Sequence, residues 1–134
     1  MKLYPYLGFK GNCEEALNFY KDVFDGEILQ LGRYGESPME TPEELKDKVM
    51  HARLKVGDVL IMFSDMMQEK EADSGNMISL SIECDTVDQL ENFFSKMSEG
   101  GKVTMPLQDQ FWGARFGMLT DKYGIHWMFN CEKK

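Results

Sequence analysis

The two histidines of this chain, His51 and His126, are its natural proton carriers near neutral pH. Alternating side chains surround each imidazole, so both rings are predicted to lie on strands. Either histidine could act as a general acid or base, or could be a structural residue held by hydrogen bonds. Together with Glu83 they could also form a metal site, although their spacing carries no specific signal for one.

A polar, aromatic segment before the last two predicted strands contains further candidates for ligand contact. Trp112, next to Phe111, could close over a ligand or could make a dimer or lid contact. Arg115 could bind a carboxylate or phosphate through two hydrogen bonds, or could pair with Asp109 or Asp121. The polar residues just before it that could orient a substrate, or simply be solvated, are Gln108, Asp109 and Gln110.

Other chemically active residues have mainly structural interpretations. Asp121 is predicted to be a turn residue. Arg33 and Tyr34 precede a polar loop and could reach a pocket. Three widely spaced cysteines without a CxxC pair favour reduced thiols with no nucleophilic role. These cysteines are Cys13, Cys84 and Cys131.

The composition limits the classes of function. With 134 residues, 43% of them hydrophobic, the chain can bury an ordinary core as one domain or as two small units. Its net charge of −8 argues against nucleic acid and anionic membranes as partners. No apolar run approaches the roughly 18 residues of a membrane span, and no signal peptide is evident. We therefore expect a soluble, cytoplasmic protein.

The elements that must position these residues follow the order β-α-β-β-β in the first half of the chain. A strand over 3–9 leads to an amphipathic helix over Cys13–Phe24, with Asn12 as its N-cap and Gly26 at its end. A polar loop with a short helix after Pro42 separates the second strand from the third. The later strands are predicted at 27–34, 50–56 and 58–64.

The same order restarts after a linker at 66–75. Thr86 caps the second helix, and Gly100-Gly101 ends it. The strands are predicted at 77–83, at 102–105 and on both sides of the Asp121–Gly124 turn. An apolar-Met-Phe-polar pattern at 60–64 also recurs at 126–130. We therefore predict an α+β fold of two tandem βαβββ modules, 1–65 and 76–134, within one domain over 1–134.

One face of each predicted sheet is left without a helix. Two such concave faces side by side are predicted to form one trough that suits a small molecule. Alternation places Met128 in this trough, while Ile125, Trp127 and Phe129 pack on the helix. The other side chains predicted to face the trough are His51, Arg53, Lys55, Leu60, Met62, Ser64, Ser79, Ser81, Glu83, His126 and Asn130.

Five segments spread over nearly the whole chain carry a resemblance to a known superfamily. They are 6–16 (YLGFKGNCEEA), 19–20 (FY), 100–107 (GGKVTMPL), 111–117 (FWGARFG) and 120–124 (TDKYG). In these segments the chain resembles the vicinal-oxygen-chelate superfamily, which includes glyoxalase I, bleomycin-resistance proteins and extradiol dioxygenases. It is most similar to the PhnB-like branch, which is often labelled as related to 3-demethylubiquinone methyltransferases. The resemblance implies paired βαβββ modules, usually assembled as a homodimer.

The resemblance also implies where a metal would be held. In metal-using relatives, His, Gln or Glu side chains of the first and last strands of both modules bind a divalent ion. The matching positions here are Met62 and Met128 on the last strands, and Pro5 with Met77 or Ser79 on the first. Proline offers no side-chain ligand, and a thioether suits copper(I) better than the usual divalent ions. A copper site or a deformable apolar lining could follow, and we favour the lining, with no ancestral metal site and no cofactor.

Two main classes of function remain. The first is a small-molecule-binding protein without metal chemistry, and the second is a metal-dependent lyase, isomerase or dioxygenase of glyoxalase type. A structural dimer with a filled trough is a further alternative. The methyltransferase label has no support, because the glycines at 11, 35, 57 and 113 form no nucleotide-binding loop. In the first class, the residues expected to contact an apolar or aromatic ligand are Met62, Met77, Ser79, Gln108, Trp112, Arg115 and Met128.

Overall fold

Each half of the chain contains one amphipathic helix, and a helix of this kind needs an apolar surface that covers its buried side. In the computed structural model, which describes residues 1–38, 40–66, 75 and 77–132, each helix packs on its own four-stranded sheet. The chain divides into two units between residues 72 and 73. The α+β fold of two tandem βαβββ modules is therefore confirmed. The linker predicted at 66–75 lies mostly outside the described residues, and the module limits stay predictions.

The first unit contains the sheet order β1-β4-β3-β2, in which β1 runs parallel to β4 and the other pairs are antiparallel. Short 3-10 turns occupy Tyr34–Glu36 and Glu43–Leu45, and the second of these is the short helix predicted after Pro42. The helix and the strands are β1 (Tyr6–Phe9), α1 (Cys13–Phe24), β2 (Glu27–Arg33), β3 (Val49–Val56) and β4 (Val59–Asp65).

Helix α1 has the predicted bounds, but its two ends are held in ways that differ from the prediction. Asn12 makes no capping hydrogen bond through its side chain. At the other end the left-handed residue is Asp25, with φ of 53°, and not Gly26. Aspartate tolerates this conformation better than most residues. Gly26 is needed for a different reason, because a Cβ at this position would lie 2.9 Å from the carbonyl oxygen of Lys55.

The second unit repeats this topology as β5-β8-β7-β6, with β5 parallel to β8. Its helix begins as predicted, since Thr86 Oγ1 accepts a hydrogen bond of 3.1 Å from the backbone N–H of Gln89. None of the helices in the described part of the chain is long and apolar enough to span a membrane. The elements are β5 (Leu80–Glu83), α2 (Val87–Ser98), β6 (Lys102–Asp109), β7 (Ala114–Thr120) and β8 (His126–Glu132).

Two strand predictions of the second half were wrong in length. β6 continues past 105 to Asp109, because Pro106 lies on an edge strand, where a missing N–H donor is tolerated. β5 starts at Leu80 and not at 77, so Met77 and Ser79 precede the strand. Met77 is 95% exposed.

The alternation predicted for the closing strand is confirmed for Trp127 and Phe129, whereas Ile125 precedes β8 and is half-buried. Trp127 and Phe129 are both buried on the helix side, and the ring of Phe129 meets that of Phe94 in α2 edge to face at 5.9 Å. Met128, between them, therefore points to the face of the sheet without a helix. We call this helix-free side the open face of a sheet.

Candidate functional site

The open face of the second sheet has three methionines side by side. The strand register pairs Met128 with Met118, and Met118 with Met105. Residues paired across neighbouring strands project from the same face at a strand spacing of about 4.8 Å. We call these three residues the methionine row. Met105 is exposed, and Met118 and Met128 are half-buried, so all three residues keep some contact with solvent.

Aromatic rings border the methionine row. Phe116 lies two residues before Met118 on β7 and so projects from the same face. Its ring centroid is 6.1 Å from that of Trp112, which in turn is 5.2 Å from that of Phe111. Trp112 is 54% exposed at the tip of the β6–β7 hairpin, where Gly113 adopts a φ of 89°. The structure therefore brings Trp112 next to the open face that carries Met128.

Gln108 also belongs to this group, because it pairs with Phe116 in the strand register. Of the predicted ligand-contacting residues, Gln108, Trp112 and Met128 therefore lie in one region of the second unit. Met77 and Ser79 precede β5 and are exposed. Met62 belongs to the first unit. The trough predicted between the modules stays a prediction.

Arg115 lies on the helix side of the second sheet. Its Nε is 3.4 Å from a carboxylate oxygen of Glu91 in α2, and its Nη1 donates a hydrogen bond of 3.2 Å to Asp109. The pairing with Asp109 is the structural alternative that the sequence allowed. Arg115 and Met128, both predicted to contact a ligand, are therefore on opposite faces of one sheet.

Both ring nitrogens of His126 take part in hydrogen bonds. Nδ1 is 2.8 Å from the hydroxyl of Thr120, and Nε2 contacts the carbonyl oxygen of Gly75. A carbonyl can only accept, so Nε2 carries a hydrogen and donates it. This arrangement favours the structural interpretation of His126. Nearby, the side-chain amide of Asn130 donates to both oxygens of Glu83, at 2.9 and 3.1 Å.

The open face of the first sheet is more polar. Across its centre the register aligns Tyr6, Met62, Arg53 and Gln30, one residue from each strand. His51 is two residues before Arg53, and its Nδ1 lies 3.2 Å from the Tyr6 hydroxyl. Its predicted role as an acid or base stays a prediction.

The residues at the positions implied for a divalent metal do not fit such an ion. Met62 offers a thioether, and the cationic Arg53 lies directly across from it on β3. The positive charge of Arg53 would repel a cation held by Met62. Pro5 contributes only its carbonyl, which accepts a hydrogen bond of 2.9 Å from the N–H of Met62. Within 1–38, 40–66, 75 and 77–132, no three His, Cys, Asp or Glu side chains are grouped so that they could hold an ion.

Two buried carboxylates, Asp65 and Asp121, have roles beyond those predicted from the sequence. Asp65 is 1% exposed, and it accepts hydrogen bonds from the backbone N–H groups of Gly11, Cys13 and Val49 at 2.8, 3.0 and 2.9 Å. Asp121 is the predicted turn residue. It also accepts a hydrogen bond of 2.8 Å from Trp127 Nε1. Both carboxylates are therefore structural anchors.

The remaining candidates are also held in structural contacts. Arg33 donates two hydrogen bonds, of 2.8 and 2.9 Å, to the carboxylate of Glu14, and this contact raises the pKa of Arg33 and lowers that of Glu14. The hydroxyl of Tyr34 donates to the carbonyl of Asp65. Burial raises the pKa of the Cys13 and Cys84 thiols to about 12, so both stay protonated at neutral pH.

Met105, Met118 and Phe116 were not among the predicted site residues. Alternation along 114–120 was sufficient to place Phe116 and Met118 on the face opposite the buried Leu119. Met105 could not be placed in this way, because β6 shifts its register on both sides of this residue.

Two tandem βαβββ units, each with a helix-covered face and an open face, define the fold class of this chain. The model of one family, the Glyoxalase/Bleomycin resistance protein/Dioxygenase superfamily, matches residues 6–129. The chain belongs to this superfamily.

Individual relatives agree with this assignment. Protein YjdN of Escherichia coli is 31% identical over 144 residues, which cover 100% of this chain and 97% of that protein. The crystal structure of PA1353 from Pseudomonas aeruginosa is 40% identical, with a TM-score of 0.89 and coverage of 100% and 99% of the two chains. The PhnB protein of Bacillus cereus is 31% identical, with a TM-score of 0.84 and coverage of 98% and 99%. The predicted similarity to the PhnB-like branch is thereby confirmed.

Proposed function

We propose that this protein binds a small apolar or aromatic molecule on the open face of its second sheet, without metal chemistry. The observation that carries this proposal is the methionine row beside Trp112 and Phe116. Thioethers adapt to the shape of a partner and pack favourably against aromatic rings. A group of accessible apolar side chains on a sheet face is also typical of a binding surface.

The absence of suitable ligands at the implied metal positions supports binding over metal-dependent catalysis. A thioether at Met128, with another thioether at Met118 beside it, provides a soft apolar contact and no hard oxygen or nitrogen ligand. The alternative function, a metal-dependent lyase, isomerase or dioxygenase of glyoxalase type, would require ligands from other positions.

A thermal-shift screen with a library of planar aromatic compounds, followed by calorimetric titration of the best one, tests the proposal. We expect Trp112→Ala and Met128→Gln each to weaken binding about tenfold, because each removes an apolar contact. Met66→Gln is the matched control, since Met66 is an exposed methionine of the first unit. The proposal fails if no compound binds, or if both site variants bind it as well as the control does.

Native mass spectrometry of protein purified without chelators tests the alternative. Stoichiometric Zn²⁺, Mn²⁺, Ni²⁺ or Fe²⁺ would favour the metal-dependent enzyme and would contradict the proposal. The same spectrum gives the mass of the assembly, and so tests the homodimer that the resemblance implies.

A further inference from the structure

Another surface feature lies within the first unit and shares no residue with the methionine row. It is an open depression of about 520 Å³, lined by residues 2–4, Leu29 and the β3–β4 hairpin between Arg53 and Leu60. This volume is in the range of small-molecule sites, which hold ligands in roughly 300 to 1,000 Å³. The proposed function makes no use of this depression.

Much of the lining is apolar and accessible. Leu29 and Val59 are both about half exposed, at 47% and 48%, and Leu3 is almost fully exposed. Leu29 is the extra residue of a bulge in β2, which explains why its side chain departs from the regular alternation of the strand. Large apolar side chains around a depression are typical of a surface that another molecule covers.

The charged part of the lining is predominantly cationic. Lys2, Arg53 and Lys55 line the depression, whereas Asp58 contributes its one carboxylate. These three cations take part in none of the ion pairs found among the described residues. The chain has 23 acidic and 15 basic residues, so the three cations around this depression contrast with the acidic balance of the whole chain.

We infer that this depression is a second small-molecule site, and that it takes an organic carboxylate with an apolar body. The Arg53 guanidinium matches a carboxylate geometrically and can donate two parallel hydrogen bonds to it. Lys55 lies two residues further along β3 on the same face and adds a second positive charge. The apolar body then covers Leu29, Val59 and Leu60, which the solvent would otherwise contact.

Calorimetric titration with octanoate, octanol and acetate separates the two parts of this recognition. Octanoate has both the anion and the apolar body, octanol has the body alone, and acetate has the anion alone. We expect octanoate to bind at least about tenfold more tightly than either of the others. Its affinity should also fall as salt is added, because an accessible ion pair is screened. Equal affinities for octanoate and octanol would overturn the inference.

Substitutions in the lining locate the site and test the sign of the charge effect. Arg53→Gln should weaken octanoate binding about tenfold, and Arg53→Lys should weaken it less, since the charge is kept and the paired hydrogen bonds are lost. Asp58→Asn should strengthen binding a few-fold, because it removes the repelling carboxylate. The control is Lys10→Gln, which removes one exposed cation of the same unit outside the lining. If Arg53→Gln and Lys10→Gln have the same effect, the inference is wrong.

Two further measurements distinguish this inference from its competitors. Met128→Gln should leave octanoate affinity unchanged, so the inference stands or falls independently of the proposed aromatic ligand. If octanoate does not bind and Leu29→Asp instead lowers the mass of the assembly, the depression is an interface between copies of the chain. That outcome would overturn the inference.

Discussion

The open face of the first sheet has Arg53 across from Met62, whereas the matching place in the second sheet has Met118 across from Met128. Both sheets have the same strand order and the same central methionine on the closing strand. The residue that pairs with the central methionine therefore differs in charge between the two sheets. It is the cationic Arg53 in the first sheet and the thioether Met118 in the second. The comparison teaches that the duplicated fold determines where side chains project, while single residues at matching register positions determine which chemistry each face presents.

The two units also differ in how they hold the start of their helices. In the first unit the Asp65 carboxylate, from the end of β4, accepts hydrogen bonds from Gly11 and Cys13. In the second unit Thr86 caps α2 from within its own segment, and the residue that matches Asp65, three positions after the central methionine, is the buried Cys131. The first helix thus depends on a distant strand, and the second depends on its own sequence.

The largest expected effect is on the free energy of unfolding, and it tests how the two units hold the start of their helices. Asp65→Ala should lower the free energy of unfolding by about 3 to 5 kcal/mol, because three buried backbone N–H groups lose their acceptor. Cys131→Ala, at the matching position, should cost only about 1 kcal/mol. Urea denaturation of both variants measures the two values. Similar losses for both would show that Asp65 does not anchor the start of α1.

The next largest expected loss of stability comes from replacing a glycine of the second sheet. A Cβ at position 117 would lie 2.8 Å from Phe94 and 2.9 Å from Leu107, so Gly117→Ala should cost about 1 to 3 kcal/mol through overpacking. At the matching position of the first unit, Ala52 already has a buried Cβ. Gly32→Ala in that unit is the control, because the closest atom to a Cβ there is 3.8 Å away. Thermal unfolding compares the variants, and a neutral Gly117→Ala would contradict this reading of the packing.

Exchanging the residues that distinguish the two open faces tests the first comparison directly. Met118→Arg should weaken binding of an aromatic ligand at least about tenfold, or about 1.4 kcal/mol, since it places a charge in the methionine row. Arg53→Met should abolish the preference for octanoate over octanol. Calorimetry measures both variants with both kinds of ligand. If neither exchange changes ligand preference, the residues beside the central methionines do not set the chemistry of the faces.

The smallest expected effect is the pH-dependent stabilisation from the ion pair between Arg33 and Glu14 at the start of α1. The contact with Arg33 lowers the pKa of Glu14 below its ordinary value of 4.5, so the stabilisation is present above pH 4.5 and is lost as the pH falls through the lower folded value. Both side chains are partly exposed, so Arg33→Gln should cost only about 0.2 to 1 kcal/mol at neutral pH. This cost should shrink in acid. Urea titrations at neutral pH and well below pH 4.5 measure it, and a cost that grows in acid would refute the assigned sign.

Local patterns in the sequence were sufficient for much of the fold. The 3.6-residue period gave the bounds of α1 at Cys13 and Phe24, and strand alternation gave the buried side of β8 at Trp127 and Phe129. These signals are local, because each depends on neighbours within one element. No local signal predicts the extension of β6 past Pro106, because only the position of this strand at the sheet edge permits it.

The candidate site was predictable only in part for the same reason. Alternation alone placed Met128 on the open face, whereas Met105 depended on bulges that no periodicity reveals. The role of Arg115 could not be assigned from the sequence, because its ion-pair partner Glu91 lies in another element, α2. Asp65 was missed because its three donors belong to segments 16 to 54 residues away along the chain.

Thioethers that a ligand can reach can also be reached by peroxide. Oxidation of Met105, Met118 and Met128 to sulfoxides would turn an adaptable apolar strip into a row of strong hydrogen-bond acceptors. Protein that has been stored in air would then bind the proposed aromatic ligand more weakly, while its buried cores stayed folded. Methionine sulfoxide reductase would restore the proposed binding, which would therefore depend on the oxidation state of these three thioethers.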